Sequence, residues 1–407
     1  MFPAYTLIGG ILLIQNRSLN SMLKFIFICL FVFSLMLSMA VPVIKMPKLT
    51  GPFTVGTSNY HWVDQDRLEW FTENPNDNRQ MMVQIWYPSD ETPSGSANPY
   101  MDYLDLRVPE FSKQVELPVF MIKHISDIST QSYPQLRMAE STSKFPVLIF
   151  SHGLGGMRVQ NTAYIEELVS HGFVVAAMDH SYDANITIFP NGHKKLYDSN
   201  LPKGLKDETI GFSIRYKQLD IRTKDVSFVL DELEKQVSDD PNSIFFQKLH
   251  LGNVGIFGHS FGGATSVSAA FHDSRISACL SLDGWFEILP RNILTEGLTK
   301  PFFHLGQEKW KKPLNYKNRD QLAANSTGPT WVTTFLGSKH FDYMDLPLFT
   351  KWTKKLNLTG TIEPFDFYHT LNEIQLTFFN HYIKDTQSFQ PELIEQKSPF
   401  FKIEKSN

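Results

Sequence analysis

A serine between glycines, and a histidine and carboxylates placed just after apolar runs, are the residues of this chain that could carry out nucleophilic acyl transfer. Residues 253 to 263 read Asn253-Val254-Gly255-Ile256-Phe257-Gly258-His259-Ser260-Phe261-Gly262-Gly263, and a helix-compatible segment follows from Ala264 to Phe271. Strand, Gly-x-Ser-x-Gly and helix in that order describe a nucleophile elbow. A tight turn at Ser260 forces unfavourable backbone angles, so Gly258 and Gly262 must lack side chains for strand and helix to approach closely. Ser260 is thereby offered as nucleophile. The Phe261 N–H and the positive end of the following helix point to where an oxyanion would form. The bland alternative is an ordinary glycine-rich turn, and the strand and helix on either side weigh against it.

A nucleophilic serine needs a base, an acid and a second oxyanion donor. His340, which follows the apolar run Trp331 to Leu336 through Gly337-Ser338-Lys339, is the candidate base that would take the Ser260 proton and return it to the leaving group. The bland reading is a surface loop histidine. His304 lies inside an apolar strand and reads as a satisfied core residue. Two carboxylates compete to orient the base. Asp283 ends Ala278-Cys279-Leu280-Ser281-Leu282, and Glu308 follows Phe302 to Leu305 through Gly306-Gln307. Asp283 sits in the sharper turn and has the shorter side chain, but spacing leaves Glu308 a serious rival; the loser reads as a solvated loop acid. Ser151-His152-Gly153-Leu154-Gly155-Gly156 supplies a glycine-rich turn whose Leu154 N–H is the candidate second donor. No His-Glu-x-x-His, paired-cysteine or Gly-x-Gly-x-x-Gly pattern occurs, so neither a metal nor a dinucleotide cofactor is expected.

Elements must gather these residues at one edge. Met81 to Tyr87, Phe145 to Phe150, Phe173 to Met178, Ile276 to Leu282, Pro301 to Leu305 and Thr330 to Leu336 read as buried strands, besides the one leading to Ser260. Helical spacing covers Asn161 to Ser170, with Gly172 as its stop, Ser213 to Val237, and Tyr368 to Ile383. Such alternation predicts a mostly parallel sheet with helices on both faces, the α/β-hydrolase fold, whose functional groups gather at the carboxyl ends of the strands. Residues from about 100 to 140 and from 181 to 212 read as insertions. In the first, Pro118 makes Leu117 to Ile122 a poor central strand.

The remaining composition sets the frame. With 407 residues, 42% of them hydrophobic, the chain can bury a large core, and 41–407 reads as one domain. A formal charge of −4 gives no basic excess for nucleic acid. Residues 1–40 form an apolar leader. Met22-Leu23-Lys24, the run from Phe25 and Ser38-x-Ala40 read as a secretory signal peptide over 22–40 if translation starts at Met22; the rival is an uncleaved signal anchor. The chain is therefore expected to be secreted or lumenal, or membrane-attached if the anchor stays. After cleavage Cys279 would be the lone cysteine, so no intrachain disulfide could form. Sequons at Asn185, Asn325 and Asn357 fit a lumenal chain.

Together, Phe150-Ser151-His152-Gly153-Leu154-Gly155, Ser170-His171-Gly172-Phe173-Val174-Val175-Ala176-Ala177, Gly258-His259-Ser260-Phe261-Gly262-Gly263-Ala264-Thr265 and Leu282-Asp283-Gly284-Trp285 resemble the plasma-type platelet-activating factor acetylhydrolase family. The likeness covers roughly residues 50 to 385. It implies Ser260 as nucleophile, Asp283 as acid and His340 as base, with Leu154 and Phe261 as oxyanion donors. It also implies a calcium-independent esterase acting on short or oxidised sn-2 acyl chains of phospholipids through an acyl-enzyme. The alternatives are a broader carboxylesterase or polyester hydrolase, and a non-catalytic binding protein of the same fold. The two insertions match no family block and are expected to shape the acyl pocket. Leu348, Phe349, Trp352 and Leu356 fall at helical spacing beside Lys351, Lys354 and Lys355, so Leu346 to Leu356 is a candidate interfacial helix for membrane or lipoprotein contact; a core-facing helix with a lysine edge is the bland reading.

Overall fold

The computed structural model describes residues 20–40, 46–116, 118–203, 205, 207–350 and 352–406. Twelve strands occur among them: β1 (Thr54–Leu68), β2 (Asn78–Ser89), β3 (Ser132–Pro134), β4 (Phe145–Ser151), β5 (Val174–Asp179), β6 (Ile186–Ile188), β7 (Lys194–Leu196), β8 (Leu249–His259), β9 (Ile276–Leu282), β10 (Phe302–Gln307), β11 (Thr330–Phe335) and β12 (Phe401–Ser406). All but the β6–β7 hairpin join one sheet in the order β12-β11-β10-β9-β8-β4-β5-β2-β1-β3. Its central strands β5, β4, β8, β9, β10 and β11 pair in parallel, while β2 and β12 pair antiparallel to the strands they flank.

Successive strand residues point to opposite faces, and both faces are dry. In β4, Val147 and Ile149 join one buried cluster and Leu148 and Phe150 the other. Ala176 and Val175 of β5, Ile256 and Phe257 of β8, and Phe302 and Phe303 of β10 divide in the same way. The helices Glu208–Ser238 and Phe261–His272 cover the first face through Val226, Leu230 and Val267, and Thr162–Ser170 and Pro364–Tyr382 cover the second through Ile165, Leu371 and Phe378. Each such side chain removed from water contributes about 1.5–3 kcal/mol, and a strand that slipped by one residue would press side chains fitted to one face into the packing of the other. Register is thereby fixed, and the α/β-hydrolase fold follows from the same pattern that the sequence carries.

Several elements differ from the sequence reading. The helix expected over Ser213 to Val237 begins earlier, at Glu208, where Asp207 accepts the Thr209 N–H at 2.8 Å as its cap. The closing helix is Pro364–Tyr382, with proline in the first turn where a missing N–H costs nothing, and β12 follows it. Residues expected as insertions contain the helix Leu104–Val115 and the β6–β7 hairpin. The segment Leu346 to Leu356 is no single helix. It divides into Leu346–Phe349 and Trp352–Lys355, because Thr350 is extended, and Lys351 lies outside the described residues. Phe349 is buried, edge-on to Tyr100 at 4.7 Å. Of the leader, Ser21–Ala40 is a helix whose described side chains from Met22 to Phe33 include many exposed apolar ones. Residues 1–19 and Pro42 lie outside the described residues. Among the described residues no helix is long and apolar enough to cross a membrane, the described side chains of this one ending at Phe33.

Candidate active site

The carboxyl ends of the parallel strands lie side by side, Ser151 of β4 opposite Gly258 of β8 and His259 opposite Leu282 of β9. Between β8 and the helix Phe261–His272, Ser260 adopts φ 59° and ψ −117°, a left-handed conformation that costs a side-chain-bearing residue about 1–3 kcal/mol. Backbone bonds hold it there. Its N–H donates to the Leu282 carbonyl at 2.9 Å, and its carbonyl accepts from Trp285 at 2.9 Å and Gly263 at 3.0 Å. The two glycines are required by contact. A Cβ on Gly258 would lie 2.3 Å from the Gly262 carbonyl oxygen, and one on Gly262 would lie 1.9 Å from that of Ser151. The second contact presses the elbow against the turn that carries Leu154.

Asp283 follows β9 with φ 44° and is wholly buried. Its carboxylate accepts from His340 Nδ1 at 2.5 Å, from the Gln307 N–H at 3.1 Å, from Gln307 Nε2 at 2.8 Å and from Trp310 Nε1 at 3.2 Å. A buried carboxylate with four donors is held in one orientation. With Nδ1 committed to Asp283, Nε2 of His340 is the nitrogen left for a serine proton. Glu308 does something else. Its Oε2 accepts the Gly337 N–H at 2.7 Å, bracing the loop that leads from β11 to His340.

Two further residues, neither foreseen from spacing, fix this base. His259 is buried; its Nε2 donates to the His340 carbonyl at 3.0 Å and its Nδ1 accepts from Gln160 Nε2 at 3.2 Å. A carbonyl can only accept, so the tautomer is set. Burial first, and then the neighbouring His340, push the His259 pKa down to about 3, which keeps the ring neutral. Gln160 also accepts from the Gly153 N–H at 3.3 Å and so ties the Leu154 turn to the base. No spacing rule finds such a residue, since its role arises only when three strand ends meet. His304 is in the core as expected, but neither of its ring nitrogens has a partner among the described residues, so it is not satisfied. Burial holds it neutral.

Ser260, His340, His259, Gln160 and Leu154 line one cavity of about 440 Å³. Around Leu154, the Gly155 N–H donates to the Asp183 carbonyl at 2.8 Å and the Gly156 N–H to Gly153 at 2.9 Å. The Leu154 N–H, and that of Phe261 in the first turn of its helix, have no backbone acceptor among the described residues. The cavity wall is mostly apolar, from Phe111, Val115, Met157, Met344, Leu346 and Leu358. Thus the first insertion reaches the cavity, through residues 111–116. None of the described residues of the second lines it: Leu201, Leu205 and Phe212 instead form a separate hollow with Trp285. The arrangement suits general-base attack by a serine on an ester carbonyl whose oxygen enters between two N–H groups.

Comparison with known proteins bears on the family of the chain. A family model described as "Platelet-activating factor acetylhydrolase, isoform II" matches residues 39–398. The chain is 27% identical over 394 residues to the platelet-activating factor acetylhydrolase of Canis lupus familiaris, covering 87% of this chain and 81% of that one. With the protein of the same name from Gallus gallus it shares 26% over 273 residues, 60% of this chain and 64% of the relative's length. A ferulic acid esterase from Streptomyces cinnamoneus superposes with a TM-score of 0.71 over 89% of this chain and 100% of its own, at 24% identity, which is a likeness of fold.

Proposed function

The chain belongs to the platelet-activating factor acetylhydrolase family, and from that premise we propose that it is a calcium-independent serine esterase that removes short or oxidised sn-2 acyl chains from phospholipids. The observation that carries the reading is the Asp283–His340 bond of 2.5 Å, which holds the base in the cavity that Ser260 lines. His340 Nε2 takes the Ser260 proton as Oγ attacks the sn-2 carbonyl. The tetrahedral oxygen is received by the N–H groups of Leu154 and Phe261. His340 then protonates the departing glycerol oxygen, leaving an acyl-enzyme, and a water activated by the same imidazole completes the cycle. Charge on the intermediate is met by backbone dipoles. Calcium takes six to eight oxygens, whereas among the described residues the cavity lining offers one carboxylate, Glu116.

Purified protein tested on short sn-2 phospholipids and simple aryl esters, each with and without a chelator, checks this. Preferential hydrolysis of the phospholipids, insensitive to chelator, is expected. Preference for aryl esters would instead favour the broader carboxylesterase, and no turnover of either would favour a binding protein.

Lipid-surface contact is part of the proposal, in altered form. Phe349 is spent on the core, so contact falls to exposed Leu356 and Leu358 and half-buried Trp352, over whose ring Lys355 lies at 4.6 Å. Leu356→Asp is expected to weaken co-sedimentation with phosphatidylcholine–phosphatidylserine vesicles about tenfold, the worth of one buried leucine. Unchanged binding would remove this surface from consideration. Secretion remains part of the reading on the strength of the leader, but the sequons are unequal. Asn185 is buried and bonded to Gln114, while Asn325 and Asn357 are exposed.

A further inference from the structure

The two N–H groups assigned to the oxyanion belong to different turns, one after β4 and one after β8. One buried cation touches both turns. Arg222, on the helix Glu208–Ser238, is wholly buried. Its Nη2 donates to the Ser151 hydroxyl at 3.0 Å and to the His152 carbonyl, at the start of the turn that presents Leu154. Its guanidinium also lies 4.8 Å from the centre of the Phe261 ring, the residue whose N–H is the other donor.

The protons around it run in one direction. Ser151 accepts from Arg222, so its own O–H is free to donate to His180 Nε2, 3.0 Å away, and His180 Nδ1 donates to Asp225 at 2.9 Å. Asp225 is in turn fixed by Arg79 at 2.6 Å. This Ser151–His180–Asp225 chain has the connectivity of a catalytic triad, yet all three residues are wholly buried and none lines the cavity. It orients Ser151 and, through it, Arg222.

Arg222 is costly for a strut. Among the described residues no carboxylate lies within ion-pair distance of it: Asp225 pairs with Arg67, Arg79 and His180, and Asp183, whose Oδ1 accepts from Gln218 and whose Oδ2 has no partner there, meets its charge only at longer range, as does Asp225. Its Nε and Nη1 have no partner there either. Burial lowers its pKa to about 10, so it keeps its charge at neutral pH. A buried cation without a paired anion is destabilising, and a neutral donor would hold one carbonyl as well. A fixed positive charge against the His152 carbonyl and the Phe261 ring, beside the turns that carry the two oxyanion donors, by contrast, gains value as negative charge develops at those turns.

We propose that Arg222 is the positioning residue of the oxyanion hole, locking the turn of residues 151–154 to Phe261 and setting its charge beside the turns that carry both donors. This rests on the serine-esterase reading above. The test uses Arg222→Met, Arg222→Lys and Ser151→Ala in the full chain. It measures kcat and KM on a soluble short-chain aryl ester, the affinity of a boronic acid that forms a tetrahedral adduct on the nucleophile, and the thermal midpoint. Arg222→Met is expected to lower kcat about 100-fold, with KM within about 3-fold and boronate affinity falling in parallel. Arg222→Lys should recover about a tenth of wild-type kcat by restoring the charge with poorer geometry, and Ser151→Ala should lose about 10-fold. A folded Arg222→Met variant with wild-type kcat and boronate affinity overturns the proposal. Should that variant not fold, wild-type values in both Arg222→Lys and Ser151→Ala overturn it instead. A Ser260→Ala control run alongside separates the two readings, since turnover retained there refutes the serine mechanism and not the arginine's role.

Discussion

Ser260→Ala is expected to lower turnover of every ester substrate by on the order of 10⁴- to 10⁶-fold while leaving the fold intact. The loss is large because the nucleophile and base act as a unit. Without Oγ, His340 has no proton to take, and the N–H groups of Leu154 and Phe261 retain only the modest rate gain of binding a polarised carbonyl. The fold survives because the serine side chain does not hold the elbow. The turn is maintained by backbone bonds to Leu282, Trp285 and Gly263 and by the close contacts of Gly258 and Gly262, all independent of the hydroxyl. Alanine at φ 59° is no more strained than serine there. Ester hydrolysis, labelling by a fluorophosphonate probe and a thermal melt together check this. Wild-type melting with lost labelling and lost turnover is the expected set, and turnover that persists would refute the assignment of Ser260.

The residues in this prediction were legible because each is tied to a local pattern. The elbow announces itself through glycines whose missing Cβ atoms are a steric necessity. The parallel strands announce themselves as apolar runs, since both of their faces are buried. Elements at the sheet edges were harder to see. β1, bordered by β3 only from Val55 to Thr57, continues to Leu68 through the polar Asp64-Gln65-Asp66-Arg67, and the edge strand β12 carries Lys402, Glu404 and Lys405, because a strand stretch with an open side can carry charge there, which discourages further pairing. Helical spacing misled at Leu346 to Leu356. The periodicity is real, but Phe349 finds its partner in Tyr100, far away in sequence, and the backbone turns at Thr350 to let it do so. Gln160, His259, Gln307, Trp310 and Arg222 leave no signal of spacing at all. They act by bonding across strand ends, and such bonds exist only once the sheet has assembled.

The choice between Asp283 and Glu308, open on spacing alone, yields the sharpest remaining contrast: Asp283→Asn is expected to lower kcat about 10⁴-fold, and Glu308→Gln to change it by less than about 3-fold. Asparagine fits the site sterically and tolerates the left-handed backbone at φ 44°, and its carbonyl oxygen can still accept from Gln307 and Trp310, so folding should persist. What changes is the histidine. An amide cannot stabilise the imidazolium, and if its NH₂ faces Nδ1 it forces the proton onto Nε2, the nitrogen that must accept from Ser260. Glutamine at 308, in contrast, keeps an oxygen for the Gly337 N–H, so the loop carrying His340 stays where it is. Measured kcat and KM for the two variants on one substrate decide the matter. Near-normal turnover in Asp283→Asn with collapse in Glu308→Gln would mean that the loop rearranges in solution to bring Glu308 to the base, and that the four donors around Asp283 serve only the fold.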